Sequence, residues 1–290
     1  MTSLPPETRV RADTRALAAG LPARSPVVDR IRRRAESLAV WLELTYNLAV
    51  RDVEIRYKHS LLGLYWALVN PLLTAAIFSF VFTVIFHANT RPVPYPVFLI
   101  TGLTFWNLFS TSVTSATTSI TGSAALLAKL YFPRIVLPTA AVLARLIDFA
   151  FSLVVLAVFL GIFRVPVPWT ALGVIPLLAM QVLFTLGIGY LVASVNVLYR
   201  DVAQLTGLVL TIWIWLTPVM YPLSTASPAL RAVLLINPMG ALLQAERDLL
   251  FCGSLSDPLS LWTAGAWVAF AFVGGLAVFK RIEPLFAEVM

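Results

Sequence analysis

The sequence predicts an all-α integral membrane protein with six transmembrane helices, and three observations support this: composition, charge distribution and the pattern of apolar runs. Of the 290 residues, 59% are hydrophobic and 12% are charged, whereas about a quarter of the residues in soluble domains are charged. The charges are concentrated near the N-terminus, because 18 of the 35 lie in residues 1–58. A transmembrane helix needs about 20 apolar residues, so the rest of the chain has room for six or seven crossings.

The charged N-terminal segment divides into two regions that precede a membrane domain of residues 59–290. Residues 1–35 are rich in proline, alanine and arginine, which predicts a disordered basic cytoplasmic tail that either contacts anionic lipid or is simply solvated. Residues 36–58 show a polar stripe and a broad apolar side, which predicts an amphipathic helix in the membrane interface. Asp52 and Arg56 interrupt the apolar side at i, i+4 spacing, so we expect them to pair or to contact a protein partner.

Six apolar stretches predict the spans. In chain order they cover about residues 65–86, 95–120, 135–163, 170–197, 202–221 and 258–279. The second and third are joined by a polar connection, residues 121–134, with a short helical stretch at 124–131. Two apolar pieces at 229–236 and 239–251 are each too short to cross, and they predict a re-entrant helical hairpin on the outer side.

The positive charges predict the orientation of these spans. With a cytoplasmic N-terminus, the predicted cytoplasmic segments hold 16 lysines and arginines and the outer segments hold four. Lysine and arginine accumulate in cytoplasmic loops, and an even number of spans returns the chain to its starting side. Both termini are therefore predicted to be cytoplasmic.

The sequence lacks the patterns of catalytic and cofactor-binding proteins. It has no Gly-rich phosphate loop, no paired carboxylates on one helix face and no metal-ligand spacing. The single cysteine, Cys252, cannot form an internal disulfide. The basic residues flank apolar runs, which favours membrane orientation over nucleic-acid binding. We therefore expect no catalytic residue, no metal and no cofactor in this chain.

Two charges lie inside the third predicted span. Arg145 and Asp148 are one helical turn apart, and charges within the bilayer are costly unless they are paired. We expect an intramembrane ion pair between them or with a neighbouring residue. A proton relay is the alternative function for the same two residues.

Five sequence motifs resemble one family of bacterial membrane proteins. In order they are RDVEIRYKHSLLGLYWA with the following NPL at 51–72, KLYFPR at 129–134, YRD at 199–201, TPVMYP at 217–222 and INPM at 236–239. Their order and spacing are similar to those of membrane (permease) subunits of ABC exporters of the polysaccharide, O-antigen and teichoic acid class. The resemblance covers about residues 40–285, and it excludes the N-terminal extension. Arg145 departs from it, because members usually carry a small or uncharged residue there.

The resemblance implies a function and a set of partners. It implies a homodimer in the bacterial cytoplasmic (inner) membrane, paired with two copies of a separate ATP-binding subunit that holds ATP and Mg. The cargo would be a cell-envelope polysaccharide or teichoic acid on a polyprenyl pyrophosphate carrier, moved outward between the subunits. Spans 1 and 5 would line the channel and meet across the dimer. The residues implied in ATPase coupling are Asp52, Arg56, Ala128, Lys129, Tyr131 and Arg134, although Lys129 and Arg134 could equally serve as positive-inside anchors.

Aromatic residues give a physical reason for a glycan cargo. Sugar rings present apolar C–H faces, so a polymer could slide over a series of aromatic rings without falling into a deep well. The candidate channel residues are Phe78, Phe82, Phe105, Trp106, Trp213, Trp215 and Tyr221. Aromatic side chains are also common at the membrane interface and toward lipid, and this reading stays open for each residue. Because Trp213 and Trp215 are two positions apart, at most one of them can face the channel squarely.

Other functions are less well supported by the sequence. An ABC exporter of a small drug or lipid remains possible within the same family, but the motif at 51–65 argues against it. An ion-coupled secondary transporter would need a coupling-ion site, which only Arg145 and Asp148 could supply. A membrane-embedded transferase would need a cluster of acidic or histidine residues at one membrane surface, and none is evident.

Overall fold

The computed structural model describes residues 26–58, 66–81, 90, 92–127 and 132–286. These residues form helices and turns, and no strand occurs among them. The α-helices are α1 Pro26–Tyr57, α2 Trp66–Phe80, α3 Tyr95–Ser119, α4 Ala124–Leu127, α5 Val136–Ile162, α6 Val174–Leu198, α7 Val202–Trp213, α8 Pro228–Ile236, α9 Pro238–Arg247 and α10 Pro258–Ile282. Short 3₁₀ turns occur at Thr121–Ser123, Trp169–Gly173, Leu223–Thr225 and Glu283–Leu285, and a π-helical turn Asp248–Cys252 extends α9.

The chain divides into two compact units, residues 1–44 and 45–290. The division falls within α1, which begins at Pro26 rather than at the predicted residue 36. Ten residues of the predicted disordered tail are therefore helical, while residues 1–25 lie outside the described part of the chain. Proline is favoured in the first helical turn and arginine is a good helix former, so the basic composition that suggested disorder is also compatible with a helix. In the second unit, Thr45, Leu48 and Ala49 of α1 form a buried stripe.

Helix α3 lies at the centre of the larger unit. It packs against α2, α5, α6, α7 and α9, while α10 lies along α6. Its side chains are buried on nearly all sides, including large ones such as Phe105 and Phe109. Two buried threonines on α3 donate their hydroxyl protons to carbonyls one turn back, Thr101 to Val97 and Thr117 to Val113. This arrangement lets a polar residue occupy the interior without an unsatisfied donor.

Four helical segments in the described residues are long and apolar enough to cross a bilayer. They are Tyr95–Ser119, Val136–Ile162, Trp169–Leu198 and Pro258–Leu285, which agree closely with the predicted second, third, fourth and sixth spans. The predicted first span is described only as α2, because residues 82–89 lie outside the described part.

The fifth span is shorter than predicted, because α7 ends at Trp213 and the chain continues as turns. Proline cannot donate a backbone hydrogen bond and disfavours the helical conformation in the residue before it. Pro218 therefore explains why the helix does not continue to residue 221. We refer to residues 214–222 as the unwound segment.

The two apolar pieces between residues 223 and 258 form two helices, as predicted. Helix α8 and the segment Pro238–Cys252 meet at a bend of 103°. Asn237 lies at the bend and caps α9, because its side-chain oxygen accepts a hydrogen bond of 3.1 Å from the Met239 amide. Whether the pair is re-entrant remains a prediction, since a broken span has the same length and composition.

Helices α6 and α10 touch through their backbones at two glycines. A Cβ atom added at Gly275 would lie 1.9 Å from the Gly187 carbonyl oxygen, and one added at Gly187 would lie 2.5 Å from the carbonyl oxygen of Ala271. Close approach of this kind is how small residues permit membrane helices to pack. The neighbouring Gly274 has open space around its Cβ position.

We expect Gly275→Ala and Gly274→Ala to change stability in opposite directions. The added methyl at 275 must push the helices apart, at a cost of about 1–3 kcal/mol. At 274 the methyl meets no neighbour and should improve helix propensity by up to about 1 kcal/mol. Thermal unfolding midpoints of the two purified variants in the same detergent test this. Equal shifts would contradict the backbone contact.

Candidate functional site

A groove in which five of the ten lining residues carry a hydroxyl group lies between α3, α5 and α7. Its volume is 480 Å³. The lining residues are Trp106, Ser110, Thr111, Thr114, Ser115, Arg145, Gly207, Leu210, Thr211 and Ile214. We call this feature the hydroxyl groove.

The threonines of the hydroxyl groove are arranged as hydrogen-bond acceptors. Thr111 donates its proton to the Asn107 carbonyl at 2.6 Å, and Thr211 donates to the Gly207 carbonyl at 2.8 Å. Each hydroxyl oxygen retains lone pairs that can accept a further hydrogen bond. The groove can therefore accept hydrogen bonds from a polyhydroxylated ligand without breaking its own.

Charged residues form a cluster at Arg145. Its Nε donates to the Ser115 hydroxyl at 2.8 Å, and its Nη1 lies 3.2 Å from the Asp148 carboxylate. Arg56 of α1 donates to the same carboxylate oxygen. The side chains of Arg56, Arg145 and Asp148 are 22–25% exposed, so the cluster is accessible. We call these four residues the Arg145 cluster.

A second arginine, Arg247, is buried and ties α9 to α3 and to the unwound segment. Its guanidinium donates to the carbonyl oxygens of Phe98, Pro218 and Val219, and it lies 3.6 Å from the centre of the Phe98 ring. Gly102 makes room for it, because a Cβ atom there would lie 2.2 Å from an Arg247 nitrogen. We call these contacts the Arg247 network.

Other side chains satisfy the remaining carbonyls of the unwound segment. The Tyr95 hydroxyl donates to the Met220 carbonyl at 2.8 Å, and the Asn237 amide donates to the Leu216 carbonyl at 3.0 Å. Non-helical backbone at membrane depth is tolerated only where such partners exist. The unwound segment is therefore stabilised by specific hydrogen bonds from the residues packed around it.

The residues beside Arg247 are also buried and acidic. The Asp248 carboxylate accepts hydrogen bonds from the Gln244 side chain at 2.8 Å and from the Ser256 amide at 2.7 Å. Glu246 is fully buried, and its carboxylate has no hydrogen-bond partner among the described residues. No group of three or more potential metal ligands occurs within the described ranges.

A second cavity has a different character. It has a volume of 590 Å³ and lies between α6, α10, the end of α7 and the α8–α9 bend. Apart from Asn237, its lining is hydrocarbon or aromatic, with Trp213, Trp267 and Phe270 among its walls. This apolar pocket suits a hydrocarbon chain and offers little to a sugar.

Comparison with known proteins identifies the family. Residues 43–251 match the family model for the ABC-2 type transporter. The chain belongs to the ABC-2 type transporter family. This match, which covers more than half of the chain, confirms the family predicted from the five sequence motifs. Together with the four apolar helices, it identifies this ABC-2 transporter as an integral membrane protein.

Individual relatives of this ABC-2 transporter match over most of their length. It is 32% identical over 259 residues to the O-antigen export system permease protein RfbA of Myxococcus xanthus, covering 88% of this chain and 98% of the relative. It is 30% identical over 257 residues to the protein of the same name from Klebsiella pneumoniae, covering 88% and 97%. The polysialic acid transport protein KpsM of Escherichia coli is 23% identical over 246 residues, covering 81% and 92%.

The predicted channel aromatics occupy several environments in the ABC-2 transporter. Phe105 and Trp106 are buried, and of the two only Trp106 also lines the hydroxyl groove. Trp213 packs edge-on against Phe109 at 5.3 Å, and its indole nitrogen donates to Asn237 at 3.0 Å.

The remaining channel candidates differ in their exposure. Trp215 is 56% exposed, whereas Phe78 is half-buried against the core. The Tyr221 hydroxyl donates to the Trp215 carbonyl at 2.8 Å. Phe82 lies outside the described residues. The structure therefore separates Trp213 and Trp215 into a packed and an exposed position.

The predicted coupling residues are only partly described. Asp52 lies 3.3 Å from Arg51 and not beside Arg56, which instead contacts Asp148. The expected i, i+4 pair is therefore absent among the described residues, because each member finds another partner. Arg134 donates to the Glu283 carbonyl at 2.8 Å, at the C-terminal end of α10. Ala128, Lys129 and Tyr131 lie outside the described residues.

Sequence reasoning missed the Arg247 network. In the predicted topology Arg247 is one of the four basic residues of the outer segments, and the predicted intramembrane charges are Arg145 and Asp148. One signal could have revealed it: Glu246, Arg247 and Asp248 are consecutive charges within an otherwise apolar piece. Such a run would be easy to explain on a solvated loop but requires partners if the piece is buried.

We expect Arg247→Met to destabilise the ABC-2 transporter strongly. The change leaves three buried carbonyls without a donor, and each costs about 1–3 kcal/mol. Arg231→Met, at an exposed position on α8, is the matched control and should have little effect. The measurement is the thermal midpoint of purified protein together with the amount in the membrane. Equal stability of the two variants would show that the Arg247 network is dispensable.

Proposed function

We propose that this chain is the transmembrane subunit of an ATP-driven exporter of a cell-envelope polysaccharide or teichoic acid. The cargo would be linked to a polyprenyl pyrophosphate carrier and would move from the cytoplasm to the outer face of the bacterial inner membrane. The observation that carries the proposal is the hydroxyl groove, whose five hydroxyl side chains and Arg145 offer hydrogen-bonding groups to a sugar. The O-antigen and polysialic acid relatives support the same class of cargo.

The chemistry of the groove suits a polymer that must keep moving. Its hydroxyls offer hydrogen-bond acceptors of modest strength, and Trp106 offers part of an aromatic face. Neutral hydrogen bonds each contribute only about 0.5–1.5 kcal/mol net, so no single contact holds a sugar for long. Successive sugar units of a glycan can therefore replace one another at these hydroxyl groups at a low free-energy cost.

A second copy of the chain would complete the pathway. The hydroxyl groove is open in one subunit, and α7 buries only Thr206 and Leu210. Its exposed side carries large apolar residues, namely Leu205, Leu208, Val209 and Ile212. A homodimer that meets through this side would enclose the groove. Two copies of a separate ATP-binding subunit would drive it, with ATP and Mg bound on that subunit.

The connection between α3 and α5 is placed to transmit the ATPase motion. Both helices that it joins line the hydroxyl groove, through residues such as Thr114 and Arg145. Arg134, at the end of the connection, bonds to the end of α10. Asn196 of α6 donates to the carbonyl of Thr117, in the last turn of α3 before the connection, at 2.9 Å. A push on the connection is therefore delivered to two walls of the groove together.

We expect Gly207→Trp to block polysaccharide export while leaving the subunit folded. Gly207 lines the groove, and a Cβ atom there meets no atom within 4 Å, so the indole would fill the pathway without clashing at its base. Gly161→Trp is the matched control, because Gly161 is also helical and equally open but lies outside the groove.

The assay compares glycan on the cell surface with lipid-linked glycan retained inside, in cells where each variant replaces the wild-type chain. Membrane level and co-purification of the ATP-binding subunit are measured in parallel. Normal export by Gly207→Trp at normal assembly would exclude the hydroxyl groove as the pathway. Export of a hydrophobic compound and of no glycan by the wild-type chain would instead favour a small-molecule exporter that uses the apolar pocket.

We expect a cysteine introduced by Ala128→Cys to crosslink to the ATP-binding subunit. The position lies in the connection predicted to be cytoplasmic, and the native Cys252, which is exposed, is first replaced by alanine. Arg164→Cys, at the opposite end of α5, is the control and should react with a membrane-impermeant reagent from outside. Outside labelling at residue 128 would reverse the proposed topology.

A further inference from the structure

A third pocket lies beside the first turn of α3 and has a volume of 210 Å³. Its lining comes from three stretches that are far apart in the chain, namely residues 90 and 92–98, residues 222–231 and residues 244–256. The predicted topology assigns all three stretches to the outer side of the membrane. We call this feature the outer pocket.

The outer pocket follows the hydroxyl groove along the same two elements. On α3, Phe98 lines the pocket and Trp106 lines the groove, eight residues or roughly 12 Å further along the helix. On the opposite wall, Ile214 lines the groove, and the chain continues through the unwound segment to Pro222 and Ser224, which line the pocket. A polymer that leaves the groove toward the outer side therefore comes within reach of the outer pocket.

The inner wall of the outer pocket carries buried polar groups that are held in place. Arg247 and Asp248 each line the pocket and are each 3% exposed. The Asp248 carboxylate accepts one hydrogen bond from the Gln244 side chain and one from the Ser256 amide. A carboxylate has about four acceptor sites, so Asp248 can accept further hydrogen bonds from a ligand.

The opening of the outer pocket carries a free donor. Arg231 lines the pocket from α8 and is exposed. Its guanidinium has no hydrogen bond or ion pair among the described residues. A guanidinium offers five N–H donors and no acceptor. The pocket thus presents donors from Arg231 and acceptors from Asp248.

We propose that the outer pocket binds one sugar unit of the exported glycan and is an exit site beyond the hydroxyl groove. This inference rests on the proposed function, because it names where the same cargo is held on the outer side. Each sugar hydroxyl is both a donor and an acceptor, and the pocket supplies partners of both kinds. Phe98 and Phe251 add apolar surface for the C–H faces of the ring.

Size and charge define the class of ligand. Pockets for drug-sized ligands have volumes of about 300–1,000 Å³, so 210 Å³ suits a single ring and not a longer segment. An anion such as phosphate would meet the carboxylate of Asp248 as well as the guanidinium of Arg231. An uncharged sugar unit can use both groups, and it is therefore the ligand that the pocket favours.

Cys252 supplies a reporter for this site. It lines the outer pocket, it is exposed, and it is the single cysteine of the sequence. A membrane-impermeant maleimide is added to cells from outside, and the labelling rate of the chain is compared between cells that make the glycan and cells that cannot. Glycan in the pocket should slow the labelling of Cys252 about twofold or more, since half occupancy leaves half of the thiols free.

Two variants should remove this protection. Arg231→Gln removes the donor charge at an exposed position, and Gly207→Trp stops the glycan in the groove before it reaches the pocket. Arg164→Gln, at another exposed arginine on the predicted outer side, is the matched control and should keep the protection. Arg164→Cys in a Cys252→Ala chain should be labelled equally in both kinds of cell, which shows that the reagent has equal access.

A purified arm identifies the ligand. The complex with its ATP-binding subunit is placed in nanodiscs, and the probe is an oligosaccharide of one repeat unit released from the surface glycan of the same cells. It should protect Cys252, and Arg231→Gln should raise the half-protecting concentration about tenfold or more, as expected for loss of hydrogen bonds from a charged group. Inorganic phosphate at the same concentrations should not protect.

Several results would overturn the exit site. Equal labelling of Cys252 in the two kinds of cell, with normal glycan export that Gly207→Trp blocks, would remove the exit site and leave the proposed function intact. Protection that persists in Arg231→Gln would assign the shielding to another surface, and protection by phosphate alone would make the pocket an anion site. Failure of Cys252 to react from outside would contradict its position on the outer side. If wild-type cells that make the glycan export none of it, the proposed function and the exit site fail together.

Discussion

The architecture depends on Arg247, which donates hydrogen bonds to backbone carbonyls left without helical partners where the fifth span ends. Pro218 prevents α7 from continuing, and the carbonyls that are freed would be intolerable in a dry interior. Arg247 supplies donors to Pro218 and Val219 and to Phe98 of α3 at the same time. This contact requires a glycine at position 102, because a Cβ atom there would occupy the space of the Arg247 guanidinium. The bent helix pair, the unwound segment and α3 are thus held as one body around a single side chain.

Arg145 and Arg247 show how surroundings decide the role of the same residue type. Arg247 is 3% exposed, and its guanidinium is engaged in hydrogen bonds to backbone carbonyls. Arg145 is 22% exposed on its side chain and forms part of a cavity wall. A buried guanidinium fixes backbone that would otherwise lack partners, whereas a partly exposed one can exchange partners. The sequence predicts that Arg145 is the more buried of the two arginines, because only Arg145 lies within a long apolar run. The structure shows the opposite order.

Helices whose bounds depend on the local sequence pattern could be predicted. Features that depend on contacts between residues distant in the chain could not. The predicted bounds of α3, 95–120, differ by one residue from Tyr95–Ser119, because Pro94 and the polar connection mark its ends. The carbonyls freed beyond the end of α7 find their donor in Arg247, some 30 residues away in the chain, and no local pattern reveals this contact. Which aromatic residues face a channel stays a prediction, but the packing of Phe105 and Trp213 against other rings follows from burial of large apolar area and could not be read from the sequence. Thr111 and Thr114 on α3 are exposed, but the groove is formed only by the packing of α5 and α7 beside them, which no local pattern reveals.

The hydrogen bonds between helices indicate which wall of the hydroxyl groove can move. Gln181 of α6 donates to the Phe105 carbonyl of α3 at 2.7 Å, and the hydroxyls of Thr139 on α5 and Tyr190 on α6 lie 2.9 Å apart. These bonds join α3, α5 and α6 into a unit whose interior groups would lose their partners if the helices separated. Helix α7 buries little of its surface, and sparsely packed elements are those that move at low free-energy cost. In the proposed exporter, a motion delivered through the connection would therefore shift the α3–α5–α6 unit as a whole, and the groove would widen or narrow against α7.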